Sequence, residues 1–298
     1  MRVAIIGGTG FVGGYLVEAL VKAGHDVACL VRPGSEDKLR GGASVTPVPG
    51  ELGSTQALKR LIEGCDAVIY NVGLLREFPR RGITFEQAQF QGVVDTVSAM
   101  QNTGVRRLLL MSAIGVKHPG TKYQSTKYRA EQHALASGLD VTVLRPSVIF
   151  GDPRGTMEFA TQLYGDMVRP PLPAVSFPGV RMSPVFIGDV ADAFVAALEN
   201  DATYGKTIEL AGPEILSWDD IVRRIAAAVQ RKKLVLTMPL WVMRSGATLF
   251  DWLPFYPVTR DQLIMLEEGN TASSDDLREL IARPPRAMTP EALAYLGS

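Results

Sequence analysis

The 298-residue sequence has little of several features that mark particular protein classes. It has only two cysteines, Cys29 and Cys65, both in apolar runs, which argues against a disulfide framework and for a reducing compartment. Its three histidines show no metal-ligand spacing. Lys plus Arg and Asp plus Glu both number 31, so the net charge is zero and no basic footprint marks a nucleic-acid-binding protein. We therefore predict binding of neither metal nor nucleic acid.

Long uninterrupted apolar runs are also missing. The longest apolar region, Leu234–Tyr256, contains two prolines and two charged residues, so it cannot supply the ~20 apolar residues of a transmembrane helix. The apolar start of the chain breaks at Gly7-Gly8 and carries no signal-peptide cleavage motif. We expect a cytoplasmic protein in which Met238–Tyr256 forms core or a substrate lid. A peripheral membrane or partner surface is the alternative for that segment.

Short β-branched runs alternate with helical patterns through the first two hundred residues. With 46% hydrophobic and 21% charged residues the chain is globular rather than disordered. The predicted strands are Val3–Ile6, Val27–Val31, Val45–Val48, Ala67–Val72, Arg107–Met111 and Val141–Leu144. The helices between them are Phe11–Ala23, Thr55–Glu63, Phe85–Asn102 and Tyr123–Ser137. This alternation predicts an α/β fold with a doubly wound parallel sheet.

The pattern changes after Gly151. The proline-rich stretch Val168–Gly179 is predicted to be a loop, and Val185–Ile187 and Thr207–Leu210 are predicted strands around the helix Val190–Glu199. Five further helices are predicted at Trp218–Gln230, Leu240–Leu249, Arg260–Glu267, Asp275–Ile281 and Thr289–Tyr295. We therefore predict a nucleotide-binding domain of residues 1–150, with 184–212 returning to its sheet. Residues 151–183 and 213–298 would form a smaller, mostly helical substrate domain.

A glycine-rich turn follows the first predicted strand and opens the first helix. It fits G-x-x-G-x-x-G from Gly7 and G-x-G-x-x-G from Gly8. Glycines let the backbone approach a pyrophosphate, which binds the free N–H groups at the helix N-terminus. The strand–turn–helix context predicts a dinucleotide site formed by Gly7, Gly8, Thr9, Gly10, Phe11, Val12 and Gly13.

The end of the second strand bears on the choice of dinucleotide. An NAD site places an acid there to accept from the ribose 2′-OH, but this strand ends Leu30-Val31-Arg32. A guanidinium can instead pair with a 2′-phosphate. NADP(H) is therefore favoured over NAD(H), and a solvated loop arginine before Pro33 is the alternative.

Tyr123 and Lys127 are four residues apart on a predicted helix, so both side chains face the same way. A phenol is a poor acid–base group at neutral pH, but a nearby ammonium favours the phenolate. Hydride exchange with a carbonyl carbon requires such a proton partner for the oxygen. The pair is therefore a candidate catalytic pair.

Four stretches in this order and spacing resemble the extended branch of the short-chain dehydrogenase/reductase superfamily. They are GGTGFVGG, YQSTK, LRPSVIFG at 144–151 and PVFIGDVADA at 184–193. Three more, VRRLLLMSAIGV, KYQSTKYRAE and PVTRDQLIMLEEGN, resemble the atypical subgroup that includes the NADPH-binding accessory subunit of respiratory complex I. The resemblance implies a Rossmann fold and the role of acid–base residue for Tyr123, with Lys127 as its pKa modulator and ribose anchor.

The same resemblance assigns further residues. Glu51 and Leu52 would lie near the adenine, Val72 and Gly73 beneath the ribose, and Pro146 and Ser147 near the nicotinamide. A solvated loop carboxylate is the alternative for Glu51. Arg181 resembles a position that meets substrate phosphate, and Arg76 could hold an anionic substrate or be a solvated loop residue.

Two departures from the family pattern bear on catalysis. The family's catalytic Ser/Thr falls nearer Ala113 than Ser112, which leaves Ser112 at most as an orienting hydroxyl, and the family's asparagine becomes Gln89. One hypothesis is an NADP(H)-dependent oxidoreductase or epimerase-like enzyme acting on a small molecule. The other is a non-catalytic NADPH-binding accessory or assembly protein with a protein complex as partner.

Overall fold

The computed structural model describes residues 1–74, 76–237 and 260–297, and at 81, 260, 262 and 263 it describes the backbone alone. The predicted helix Leu240–Leu249 and the predictions for Met238–Tyr256 lie outside the described residues. Within the described residues, no helix is both long and apolar enough to cross a bilayer.

Seven parallel strands form the central sheet: β1 (Arg2–Ile6), β2 (Asp26–Val31), β3 (Val45–Pro49), β4 (Ala67–Tyr70), β5 (Arg107–Met111), β6 (Asp140–Pro146) and β11 (Thr207–Leu210). Their spatial order is β11-β6-β5-β4-β1-β2-β3. The order reverses between β1 and β4, the place where doubly wound sheets bind ligands. The predicted fold class is confirmed. β4 ends at Tyr70 rather than Val72. The next residue lies against the glycine turn, since a Cβ on Gly7 would lie 2.5 Å from the Asn71 carbonyl oxygen.

Helices cover both faces of the sheet, as the alternation of buried residues requires. They are α1 (Phe11–Lys22), α2 (Thr55–Ile62), α3 (Gly92–Thr103), α4 (Lys122–Leu135) and α6 (Ile187–Leu198). Val3 and Ile5 of β1 point into the core with α1 and α6, whereas Ala4 and Ile6 point into the core with α2, α3 and α4. This two-residue alternation gives the sheet two buried faces.

The predicted helix Phe85–Asn102 is not uniform. Glu86–Gln91 forms a π-helical turn before α3 begins at Gly92. The buried Tyr70 hydroxyl donates to the Ala88 carbonyl oxygen at 2.5 Å, and a Cβ on Gly92 would lie 2.1 Å from that hydroxyl. The tyrosine therefore occupies space that a regular helix would need.

A third core lies beyond the sheet, around Trp218. Its elements are α5 (Phe159–Leu163), a π-helical turn (Tyr164–Val168), α7 (Trp218–Ala228) and a 3₁₀ segment (Glu291–Gly297), where an α-helix was predicted at Thr289–Tyr295. Short strand pairs complete it: β7 (Ile149–Phe150) with β10 (Val185–Phe186), β9 (Arg181–Met182) with β12 (Leu216–Ser217), and β8 (Ala174–Ser176) with β13 (Val235–Thr237). Val168–Gly179 was predicted to be a loop, but it contains the strand β8. The three residues of that strand, Ala174–Ser176, include no proline and can therefore pair.

The last two α-helices of the described residues are α8 (Arg260–Glu268) and α9 (Asp275–Ile281). α9 packs on α6 and β11, and its Leu277 is buried in the core of the sheet. The division into two domains stays a prediction.

Candidate functional site

The glycine turn lies between β1 and α1, where the strand order reverses. Gly7 has φ +96°, a backbone conformation that side chains oppose. A Cβ on Gly13 would lie 2.1 Å from the Gly7 carbonyl oxygen. Both glycines are therefore required by the packing of the backbone itself.

Gly10 differs from these two glycines. It is the exposed N-cap of α1 with φ −84°, and a Cβ there would meet nothing closer than the Gly7 carbonyl oxygen at 3.7 Å. No side chain caps the helix, and its first turn contains no acid. The N–H groups of this turn are thus available to an anion, so the turn fits a pyrophosphate.

Arg32 and Glu51 lie at the same edge of the sheet, just after β2 and β3. Both are exposed, and within the described part of the chain Arg32 makes no side-chain hydrogen bond or ion pair. Leu52 instead packs in the core of α2 and α3, within 3.0 Å of a Cβ position on Gly92. Arg32 is therefore free to meet a phosphate, whereas Leu52 has a packing role of its own.

A small cavity of about 10 Å³ lies behind the ends of β4 and β5, room for at most one water molecule. Its walls include Val72, Gln89, Ser112 and Lys127. The Ser112 hydroxyl is buried and has no hydrogen-bond partner among the described residues, whereas Ala113 is only half-buried. Ser112 therefore points its hydroxyl into the cavity, and the more open position carries no hydroxyl. Gly73, beyond Val72, is exposed.

Tyr123 and Lys127 lie on the first turns of α4. The helix begins with a capping box, in which the Thr121 hydroxyl accepts from the Gln124 N–H and the Gln124 side chain accepts from the Thr121 N–H. Lys127 is 5% exposed, and its Nζ donates to the Met111 carbonyl oxygen at 3.2 Å. That Nζ lies 5.8 Å from the centroid of the Tyr123 ring. The helix therefore brings the pair together at the end of β5.

The electrostatics of the pair depart from the expectation of a lowered tyrosine pKa. Burial raises the pKa of Tyr123, because the phenolate would lose its hydration. Burial also lowers the pKa of Lys127 to about 8, against the opposing charge of Glu131. Desolvation is the largest cause at both groups, and it outweighs the contacts that favour the charged ammonium, Glu131 and the Met111 carbonyl oxygen. Tyr123 is therefore a proton donor at neutral pH.

Two buried groups support this pair: Glu131, which sequence analysis did not identify, and Gln89, which takes the place of the family's asparagine. Glu131, 0% exposed and one turn beyond Lys127, accepts two hydrogen bonds from Arg145 of β6. Gln89 donates to the Leu74 carbonyl oxygen at 3.1 Å and accepts from the Thr126 hydroxyl at 2.9 Å. The only sequence signal was the position of Glu131, four residues after Lys127 on one helix face.

Glu268 and Asn270, far along the chain, also contact the segments around Tyr123. Glu268 accepts from Lys117 at 2.6 Å and from Gln124 at 2.7 Å, next to Tyr123. The Asn270 side chain donates to the Ile114 carbonyl oxygen at 3.3 Å and accepts from the Val148 N–H at 3.2 Å. Both residues lie in the stretch that resembled the family subgroup, but no local pattern assigned them a role.

The remaining predicted residues lie at the margin of this arrangement. Ser147 is buried, and its hydroxyl donates to the Asn270 carbonyl oxygen at 3.1 Å, while the Pro146 carbonyl oxygen accepts from Ile114. Arg76 and Arg181 are both exposed. The described residues contain no cluster of three or more His, Cys, Asp or Glu side chains able to hold a metal.

Comparison with known proteins agrees with this geometry. A family model described as NAD(P)H-binding matches residues 7–172, which is more than half of the chain. The chain therefore belongs to this NAD(P)H-binding family, and the predicted dinucleotide-binding class is confirmed.

Its relatives differ in their named roles. The chain is 28% identical over 291 residues to "NADH dehydrogenase [ubiquinone] 1 alpha subcomplex subunit 9, mitochondrial" of Arabidopsis thaliana, covering 92% of this chain and 70% of the relative. It is 26% identical to "Ceramide reductase" of Caulobacter vibrioides, covering 84% and 78%. The crystal structure of gox2253 shares the fold, with a TM-score of 0.78, 22% identity and coverage of 99% and 96%.

Proposed function

We propose that the protein is an NADP(H)-dependent oxidoreductase or epimerase-like enzyme whose proton partner is Tyr123. The observation that carries the proposal is the buried Lys127 ammonium, 5.8 Å from the Tyr123 ring centroid at the sheet edge where the glycine turn opens. A relative named as a reductase supports this chemistry. The substrate is a small molecule with a carbonyl or hydroxyl group.

The nicotinamide, when bound, supplies or accepts a hydride at the substrate carbon. Because its pKa is raised, Tyr123 holds its proton at neutral pH and can donate it to a carbonyl oxygen. Lys127, with a pKa of about 8, is mostly charged at neutral pH and would stabilise the phenolate that remains. Glu131 helps to keep that charge on Lys127, and Ser112 would at most orient the substrate oxygen.

The test is NADPH oxidation in a screen of carbonyl compounds, followed by variants. Tyr123→Phe should lower turnover by about 10²–10⁴-fold while changing NADPH affinity by less than about tenfold. Tyr128→Phe is the matched control, since it removes a hydroxyl from the same helix. Lys127→Met should lose turnover and bind NADPH more weakly, whereas the exposed Lys122→Met should do neither. Unchanged turnover in Tyr123→Phe would exclude this catalytic assignment.

Arg32 supports the choice of NADP(H), because its guanidinium is exposed at the end of β2 and free of other partners in the described chain. Glu51 would lie near the adenine. Arg76 and Arg181 are proposed to contact a substrate that carries a negative charge, since both are exposed basic side chains.

A second candidate function is that of a non-catalytic NADPH-binding accessory or assembly protein. Two observations favour it. Ala113, which is less buried than Ser112, has no hydroxyl, and the Gln89 amide is already hydrogen-bonded to the Leu74 carbonyl oxygen and the Thr126 hydroxyl. A relative named as a subunit of an NADH dehydrogenase supports it too. Firm NADPH binding without turnover across the carbonyl screen would decide for this function. The free, buried cysteines fit the expected cytoplasmic location.

A further inference from the structure

The two-stranded sheet of β8 and β13 turns an apolar face to solvent. Its strands are parallel, with Val235 opposite Ala174 and Leu236 opposite Val175. Side chains alternate between the two faces, and Ala174 is buried, so Leu234 and Leu236 lie on the outward face together with Val175. Leu234 is 63% exposed and Leu236 is 52% exposed. A sheet surface in contact with water alone is normally polar.

Leu234 precedes β13 but continues its pairing with β8. The Ala174 N–H donates to the Leu234 carbonyl oxygen at 2.8 Å. We name Val175, Leu234 and Leu236 the apolar face. Clustered exposed leucines of this kind mark an interaction surface rather than scattered surface residues.

Basic residues adjoin the apolar face where both strands begin. Arg169, Arg231 and Lys232 are exposed, and we name them the basic rim. Arg231 donates to the Arg169 carbonyl oxygen at 2.9 Å, which ties the two chain segments together. None of the three pairs with a carboxylate in the described part of the chain, and Asp166 is the exposed acid nearest to Arg169 in the sequence. The rim therefore carries an uncompensated positive charge.

We propose that the apolar face and the basic rim bind the surface of an anionic lipid bilayer. Exposed leucines flanked by lysine and arginine are the combination that interfacial binding uses, because the apolar side chains enter the acyl boundary while the cations meet lipid phosphates. The observed charge complements an anionic surface, and the face lies on the third core rather than at the nucleotide site. The proposal is therefore independent of the proposed function.

Sedimentation of the full chain with lipid vesicles tests this proposal. Wild type should bind vesicles containing phosphatidylglycerol and bind vesicles of phosphatidylcholine alone much more weakly. Each basic side chain near an anionic surface contributes roughly fivefold in affinity, so Arg231→Gln/Lys232→Gln should weaken binding about 25-fold. Leu234→Asn/Leu236→Asn should weaken it at least about tenfold, since burial of a leucine is worth that much.

Matched controls use exposed residues elsewhere. Ile215→Asn, at a position 56% exposed, and Lys59→Gln/Lys206→Gln should bind like wild type. All variants should keep the wild-type Tm, because the changed side chains are exposed. No binding by wild type, equal binding to both vesicles, or wild-type binding by the two patch variants would each overturn the proposal. So would a dimer that Leu234→Asn/Leu236→Asn dissociates while vesicles capture no protein, since the face would then join two copies.

Discussion

The two halves of the candidate site are built differently. The half around the glycine turn uses backbone groups of residues 7–13 and the backbone of Asn71, just after β4. The half around Tyr123 and Lys127 uses side chains that come from as far apart in the chain as the buried Gln89 and the more exposed Glu268. The first half is determined by the space between backbones, and the second by the burial of charge.

This difference predicts how each half fails. A substitution in the glycine turn acts through a steric clash, and it should matter only where a Cβ meets the backbone or a ligand. A substitution around Lys127 acts through the desolvation of a charge, so its effect should depend on the burial of the partner and on pH.

The largest effect is expected at the buried ion pair of the second half. Glu131→Gln leaves Arg145 without its carboxylate, and breaking a buried pair costs about 3–5 kcal/mol of the free energy of unfolding. Glu86→Gln is the matched control. Glu86 also accepts two hydrogen bonds from an arginine, Arg129 of α4, but this ion pair is exposed. The control substitution should cost less than about 1 kcal/mol. Chemical denaturation measures both; equal losses would show that burial is not what distinguishes the pairs.

The next largest effect is expected in the pH dependence of the free energy of unfolding. The pKa of Lys127 is lowered from 10.5 to about 8 in the folded protein, so the unfolded chain binds more protons between these values. The free energy of unfolding should therefore gain roughly 3 kcal/mol from this group as pH rises from 8 to 10.5, and lose it again as pH falls back to 8. Denaturation of wild type and Lys127→Met across this range should give profiles that differ in slope. Lys122→Met, with its side chain 78% exposed, should follow wild type; a Lys127→Met profile parallel to wild type contradicts the assignment.

In the first half, two glycines of one turn should respond differently. Gly13→Ala should cost about 1–3 kcal/mol of unfolding free energy, because its Cβ would lie 2.1 Å from the Gly7 carbonyl oxygen. Gly10→Ala should cost less than about 1 kcal/mol, since the nearest atom is 3.7 Å away. Gly10→Val should fold and lose NADPH binding, which calorimetric titration detects. Wild-type affinity in Gly10→Val would place the phosphate site elsewhere.

The smallest effect is expected at Arg32. Losing one charge-assisted contact to a 2′-phosphate should weaken NADPH binding about ten- to a hundredfold and leave NADH binding nearly unchanged. Titration of wild type and Arg32→Ala with both dinucleotides measures this. Arg223→Ala, which removes an exposed guanidinium from α7, is the control. Equal affinity of wild type for NADPH and NADH would refute the predicted preference.

Sequence patterns predicted most of the sheet and its helices. The runs at Arg107–Met111, Thr207–Leu210 and Asp275–Ile281 match the observed elements to the residue. The strand, the glycine turn and α1 were predictable because each depends on neighbours within a few residues. The π-helical turn at Glu86–Gln91 was not, because it depends on Tyr70, which is distant in sequence.

The sequence by itself therefore determined the doubly wound sheet, the dinucleotide-binding turn and the spacing that puts Tyr123 and Lys127 on one helix face. Only the tertiary structure decided that burial raises the pKa of Tyr123, that Ser112 points into a closed cavity, and that Glu268 joins the site. The physical reason is that hydration and long-range contacts set the charge of a buried group. Both depend on segments that meet only when the chain has folded.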